Sequence, residues 1–554
     1  MLYQEHPYVR TLIEQLGARQ IGRREFLRTA TLLGLSASAA YSIAGSPPVA
    51  SADANMPKGG RVRIAMPIQD VAHPHGQAWP QTSNIVRQVA EYLTKTDQHN
   101  VTHPYLLERW EPSADLRTWT LRLRKGIKWR KGRDFSADDV VWNLKHVLDP
   151  NTGSSVLGLM KSYMTKDVDT GVKGADGSPV ITTELWDANA IEKLDDHSVR
   201  LNTRVPQVAV PEHLFHYPFY MLDPEENGTF GVGSNGTGAF ELVEHEVKRV
   251  STLKAAKNYW GKGPYLNTLQ FVDLGEDPAA HLAALSTNQV DGLYEAELSL
   301  VTTLRALKHV IMYQVPTAQT AILRMMVTKK PFDDPRVRQA LRFATDCEAI
   351  RKISLGELGL AAEHHHVSPV QPDYAGLPTF KHDVERAKQL LVEAGHANGI
   401  DLEIVCPNSP KWQSISIQTI AQQWRDAGIR VKISIVPVAE YWNVWDKVSL
   451  GSTLWEHRPL GVMLLALAYR TGVTWNETHY SNADFDRLLT EAEGIPDTEK
   501  RRAVMAKLEK ILQDDGPMVQ PFWNSMVTFY DKRVKGFRPH PTTYIFGNEL
   551  AIES

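Results

Sequence analysis

Cysteine is almost missing from this 554-residue chain: Cys347 and Cys406 are the only two. Two thiols in a chain this long make neither a disulfide framework nor a metal knuckle. They leave open one bridge, in an oxidising compartment, or two buried free thiols. No internal run of about twenty apolar residues occurs, so the body of the chain has no membrane span. Excess charge of one sign is missing too: 61 Lys and Arg stand against 64 Asp and Glu, a formal net charge of −3. That near balance gives no global reason for a nucleic acid or an anionic membrane as partner. The hydrolase motifs His-Glu-x-x-His and Gly-x-Ser-x-Gly do not occur, which removes two local chemistries and leaves a dispersed triad open.

What is present is an ordinary globular composition, 42% hydrophobic and 23% charged, with length for about three to four domains. The N-terminus has its own pattern. Gly22-Arg-Arg-Glu-Phe-Leu-Arg28 pairs two arginines ahead of an apolar step. A mildly apolar run of small residues, Thr29 to Ile43, follows, and Ala50-Ser-Ala52 fits a small-residue cleavage site. This resembles a twin-arginine export signal, so residues 1–52 are set apart as a leader. The alternative is an amphipathic helix that stays on the mature protein. Met1 to Ile21, ahead of the arginines, is longer than such a signal needs.

The most informative stretch runs from Leu116 to Leu148. Trp119, Leu121 and Leu123 alternate with Thr118, Thr120, Arg122 and Arg124, the period of a half-buried strand. Gly126 and Gly132 mark turns. Ser136 with Asp139 predicts a capping box, and Val140, Val141, Leu144, Val147 and Leu148 then recur at helical spacing. This run of strand, turn-bounded arm and capped helix closely resembles the signature of the extracytoplasmic solute-binding proteins of family 5, the peptide- and nickel-type receptors that feed ABC importers. Further segments are similar to that family in the same order: Gly236-Thr-Gly-Ala-Phe, Asn288-Gln-Val-Asp-Gly292, Pro331-Phe-Asp-Asp-Pro-Arg-Val-Arg338 and the capped helix from Asp383 to Gly395.

The resemblance spans most of residues 60–550. It implies an α/β, bilobal periplasmic-binding-protein fold: type II, of the large cluster with an extra subdomain, with two hinge crossings. The expected division is 53–100, first part of lobe I; 101–219, a subdomain inserted in lobe I; 220–315, its second part; 316–516, lobe II; and 517–554, a C-terminal return to lobe I. Pattern alone supports part of this. Leu402–Cys406, the helix stripe Ile417 to Ala427 and Gly428–Ile435 form a parallel strand-helix-strand unit. Residues 151–190, weakly periodic, are read as long loops. The letters Gly-x-Gly-x-x-Gly at 231–236 lack the preceding strand and following helix of a nucleotide site.

Ligands of open α/β sheets bind beyond the carboxyl ends of strands. The continuous apolar run Gly461–Ala468 is read as a buried central strand, which makes the loop Tyr469 to Glu477 the candidate site. Peptide-binding members of the resembled family carry an aromatic and then an Asp there; this chain has Tyr469 and Arg470. Arg470 therefore points to an acidic group on the ligand, with an internal salt bridge as the competing role. Trp455, Glu456, His457 and Trp475 join it as candidate cleft residues, and His75 as part of a loop at the cleft mouth. Glu456 or Glu477 is a candidate negative charge. In His364-His-His366 adjacent side chains diverge, so at most two share an ion, and no metal or cofactor is expected. The implied function is an extracytoplasmic, periplasmic binding protein that captures a peptide or similar small polar solute for a membrane permease. It is expected to be monomeric, not an enzyme, and without nucleic acid. A secreted hydrolase acting on peptides is the alternative, and a sensor or chaperone role on the same fold is not separable from transport by sequence.

Overall fold

The computed structural model describes residues 6–45, 56–77, 79–174, 177 and 179–554. The expected cleavage site at Ala50–Ala52 lies outside them. Two separate sheets organise the chain. A seven-stranded sheet runs in the order Phe240–Glu246, Val250–Ala255, Thr268–Val272, Arg61–Ala65, Gly292–Leu293, Ser525–Asp531 and Val310–Pro316. It draws on both ends of the chain. A five-stranded sheet from the middle runs in the order Ile429–Val436, Ile400–Pro407, Leu450–Trp455, Thr320–Met325 and Met518–Val519. Ile400–Pro407 and Ile429–Val436 pair in parallel, with the helix Lys411–Trp424 between them in the chain. This is the strand-helix-strand unit the pattern predicts.

The chain passes between the sheets twice, from Pro316 to Thr320 and from Val519 to Ser525. The two passages are tied together. Thr317 donates from Oγ1 to the Asn524 carbonyl at 2.7 Å, and the Asn524 amide donates to the Gln319 carbonyl at 2.7 Å. Two bonded connections of this kind concentrate backbone change in a few residues when lobes rotate.

A third sheet holds Leu107–Pro112, Thr118–Leu123, Ser198–Asn202 and Ile191–Asp195. Trp119 and Leu121 are fully buried on it, as their alternation requires. The helix Ala137–Leu148 opens as read: the Ser136 amide donates to the Asp139 carboxylate at 2.8 Å. Residues 151–190 are more ordered than their weak periodicity suggests. They form the helix Ser155–Met164 and the antiparallel pair Thr165–Lys173 and Pro179–Leu185. The hairpin is largely exposed on both faces, so no apolar alternation marks it.

One expectation is overturned with consequences for the site. Gly461–Ala468 is a helix. All eight residues are buried, and a run buried on every side carries no period to separate helix from strand. The Asp373 carboxylate accepts from the amides of Gly461 (2.8 Å) and Val462 (3.1 Å), closing its first turn. The strand of this region is Leu450–Trp455.

Gly236 and Gly238 serve close approach, not phosphate. A Cβ on Gly236 would stand 2.0 Å from the Val89 carbonyl oxygen, and one on Gly238 2.5 Å from that of Gln88. Gly236→Ala is expected to lower stability by about 1–3 kcal/mol, because backbone must shift to admit the methyl. A urea unfolding midpoint equal to the parent's would contradict this.

Candidate functional site

A cavity of about 830 Å³ opens where the start of the first passage, the second lobe, the C-terminal segment and residues 22–28 meet. Its wall includes Gln314 and Pro316 of the strand entering the first passage, Asn100, Gln371, His457 and Arg502. A smaller chamber adjoins it, lined by Asn100, Glu212, His216, His457, Arg458 and His540 among others.

With Gly461–Ala468 a helix, the strand whose carboxyl end faces this space is Leu450–Trp455, and Glu456 to Pro459 follow it directly. Each polar group there has a definite geometry. The Glu456 carboxylate accepts from Gln319 Nε2 at 2.9 Å, and burial raises its pKa. His457 Nδ1 accepts from the Ala318 amide at 3.0 Å. Its proton therefore sits on Nε2, which reaches Asn100 Oδ1 at 3.3 Å. Burial holds this imidazole well below its ordinary pKa, so it bridges the two sides uncharged. Arg458, buried, donates from Nη1 to the carbonyls of Glu456 (3.1 Å) and His457 (2.9 Å). Its guanidinium lies 5.1 Å from the centre of the Tyr217 ring. Its Nε is buried and makes no hydrogen bond. On the facing side Glu212 accepts from Thr102 Oγ1 at 3.3 Å, its other oxygen is unpaired, and burial pushes its pKa up to about 8.

The other predicted site residues lie elsewhere. Arg470 is buried, pairs with Glu493 at 2.7 Å and donates to Thr490 Oγ1 at 3.1 Å. It has the internal partner that was its competing role. Tyr469 is buried and its hydroxyl meets His366 Nδ1 at 2.7 Å. Glu477 takes Arg324 Nε (3.1 Å), Thr453 Oγ1 (2.6 Å) and Trp455 Nε1 (3.0 Å), so both Glu477 and Trp455 belong to a closed network. Trp475 is half-buried beside Trp455 and Tyr217, with ring centres 6.0 and 6.1 Å away. His75 is buried, with Nε2 2.8 Å from the Tyr220 carbonyl and Nδ1 2.8 Å from His146 Nδ1. His364, His365 and His366 diverge, toward Cys347 Sγ (3.5 Å), Glu363 (3.0 Å) and Tyr469 (2.7 Å). Among the described residues no three His, Cys, Asp or Glu side chains gather to hold a metal. Both cysteines are free thiols.

Asn100, Gln314 and Arg502 of the cavity wall and Arg458 of the adjoining chamber are not among the residues singled out by sequence. Arg458 had a usable signal: it directly follows Glu456 and His457, both candidate cleft residues. The others come together only in the fold, from positions far apart in the chain.

The buried titratable groups set a pH dependence. Burial holds His75, His213, His366 and His540 at about 3, against an ordinary 6.5. In that window the unfolded chain binds protons the folded chain refuses, so stability falls as pH drops from 6.5 toward 3. Glu212, Glu295 and Glu509 are pushed up to about 8 from 4.5. Here the folded chain keeps protons the unfolded chain has released, so stability falls as pH rises from 4.5 toward 8. Each group contributes at most about 1.4 kcal/mol per pH unit. Where the windows overlap, four histidines outweigh three glutamic acids. The urea midpoint is therefore expected to peak near pH 6.5 and fall on both sides; a flat profile from pH 5 to 8 would contradict it.

Comparison with known proteins adds a family. A sequence profile of the bacterial extracellular solute-binding proteins, family 5 Middle, matches residues 101–467. The dipeptide-binding protein of Escherichia coli is 25% identical over 480 residues, covering 81% of this chain and 86% of that protein. Heme-binding protein A of Haemophilus influenzae is 24% identical over 467 residues, covering 80% and 82%. Among solved structures, the binding protein AgaA from A. tumefaciens R10 in complex with agropinic acid superposes with a TM-score of 0.77 at 20% identity, over 89% of this chain and 99% of the other. The DppA protein of Helicobacter pylori with a bound peptide gives 0.76 at 20%, over 90% and 99%.

Proposed function

The chain belongs to the bacterial extracellular solute-binding proteins of family 5, and from that premise we propose that it captures a short peptide or comparable small polar solute bearing a carboxylate. The cavity between the lobes receives it, and it passes unchanged to the membrane permease of an ABC importer. The observation that carries the carboxylate is Arg458. It is a buried guanidinium just past the carboxyl end of a sheet strand, in the wall of the small chamber that adjoins the cavity, with a buried Nε that has no acceptor. A carboxylate is the acceptor such a fork fits best. Glu212, in the wall of the same chamber, suits the amino or amide end of the solute. The ligands bound in two structural neighbours, a peptide and agropinic acid, are of this polar kind.

The family is one of solute carriers, and a peptide hydrolase has no support beside it. Export by the twin-arginine route rests on Arg23, Arg24 and the apolar run after them. A monomer, and the lobe boundaries at 100, 219, 315 and 516, belong to the same reading. Mass spectrometry of the solute released on gentle denaturation tests it. A small carboxylate-bearing molecule is expected, and adding it back should contract the protein in solution scattering. Shortened peptides after incubation, or unchanged dimensions with every solute retained, would refute it.

A further inference from the structure

The residues set apart as a leader are folded onto the body of the protein. Three helices, Tyr8–Gly17, Arg23–Leu32 and Ala37–Ile43, precede the first sheet strand. Val9, Phe26, Ala30 and Leu33 are fully buried, in one apolar cluster with Trp110 and Trp119 of the third sheet and with Leu464 and Leu508 of the second lobe's helices. Polar contacts fix the docking on both sides of the cavity. On one side Arg28 Nε donates to the His99 carbonyl at 2.8 Å, Trp110 Nε1 donates to the Leu32 carbonyl at 3.0 Å, and His6 Nε2 meets the Ala114 carbonyl at 3.2 Å. On the other, the Glu25 carboxylate stands 3.7 Å from Arg502, and the Tyr8 hydroxyl bonds the Asp497 carboxylate. Between these anchors Arg24, Glu25 and Arg28 form part of the cavity wall.

A segment anchored to both halves opposes their separation, since opening breaks one set of contacts or the other. We propose that the paired-arginine helix is an intramolecular strap: while it is attached, it ties the third-sheet subdomain to the second lobe and roofs the solute cavity, and its release frees the lobes to open. The consequence for solute exchange rests on the proposed function. The strap itself rests on contacts alone. Glu25 places a carboxylate at Arg502, so the roof occupies an anion position that a solute could otherwise use. Phe26 and Leu27, which follow the arginine pair, face inward while Arg23 and Arg24 are exposed.

The test compares the full chain with the same chain carrying a protease site inserted between Gly45 and Met56, purified folded and then cut. Amide exchange is followed at the cavity-facing segments 98–100 and 456–458, with the strands Thr118–Leu123 and Ile400–Pro407 as internal controls. Cutting is expected to speed exchange at the first two about tenfold, the equivalent of about 1.4 kcal/mol of local protection. The control strands should not change, and the radius of gyration should rise. Leu27→Asp, in the buried face, should do the same without a cut; if that variant does not fold, the cut chain decides. Unchanged exchange at 98–100 and 456–458 once the cut fragment has been removed overturns the strap, and so does a uniform increase that includes the controls. No solute enters the measurement, so a failure to find any ligand would count against the proposed function and not against the strap.

Discussion

Arg458→Met is expected to weaken capture of a carboxylate-bearing solute by about 2–5 kcal/mol, roughly 30-fold or more in Kd. The side chain is buried, so a carboxylate reaching it exchanges water for a desolvated guanidinium. The backbone carbonyls of Glu456 and His457 hold one end of that fork in place, which leaves little ordering to be done on binding. Calorimetric titration of paired free-acid and carboxamide forms of one dipeptide isolates the interaction. The parent should prefer the acid, and Arg458→Met should bind the two equally. Arg470→Met is the control, because its guanidinium already serves Glu493 at 2.7 Å. It should lower stability and leave the acid preference intact. An acid preference that survives Arg458→Met, or disappears with Arg470→Met, would return the role to the loop after Ala468.

The largest stability effect is expected at Arg324→Met, about 3–5 kcal/mol. Arg324 and Glu477 are both almost wholly inaccessible, at 0% and 1% of side-chain surface. Removing the cation leaves a carboxylate in the core with only the Thr453 hydroxyl and the Trp455 indole as donors. Arg324 also donates to the carbonyls of Val448 and Trp445, and these lose their partner. Domains of ordinary stability have about 5–15 kcal/mol in total, so the variant should be near the edge of folding. The double variant Arg324→Met, Glu477→Leu removes the stranded charge and should recover part of the loss, the two carbonyls accounting for the rest. Urea midpoints for parent, single and double variants decide it. A single variant as stable as the parent would show that the pair contributes nothing net.

Much of the architecture was legible before the fold was known. The alternation at Trp119, Leu121 and Leu123 and the cap at Ser136 are local, period-bearing features, and both form as their spacing requires. Arg470 was legible as a residue out of place, but not its partner: Glu493 lies 23 positions away on the next helix. Gly461–Ala468 was misread because complete burial erases the one signal that distinguishes helix from strand. That error put the strand end at Ala468 and the candidate loop after it, whereas the strand of this region ends at Trp455.

The sequence by itself determined the strand-helix-strand grammar, which is written in short-range periodicity, and the resemblance to the family, which is carried by ordered local segments and in turn implied the two-lobed plan. Tertiary structure alone decided which charged side chains are satisfied internally and which face the cavity. It also decided that the paired-arginine segment lies across both lobes. Those outcomes depend on contacts between residues hundreds of positions apart, such as Arg502 with Glu25 and His457 with Asn100. Burial and pairing at that range are properties of packing, and no local pattern encodes them.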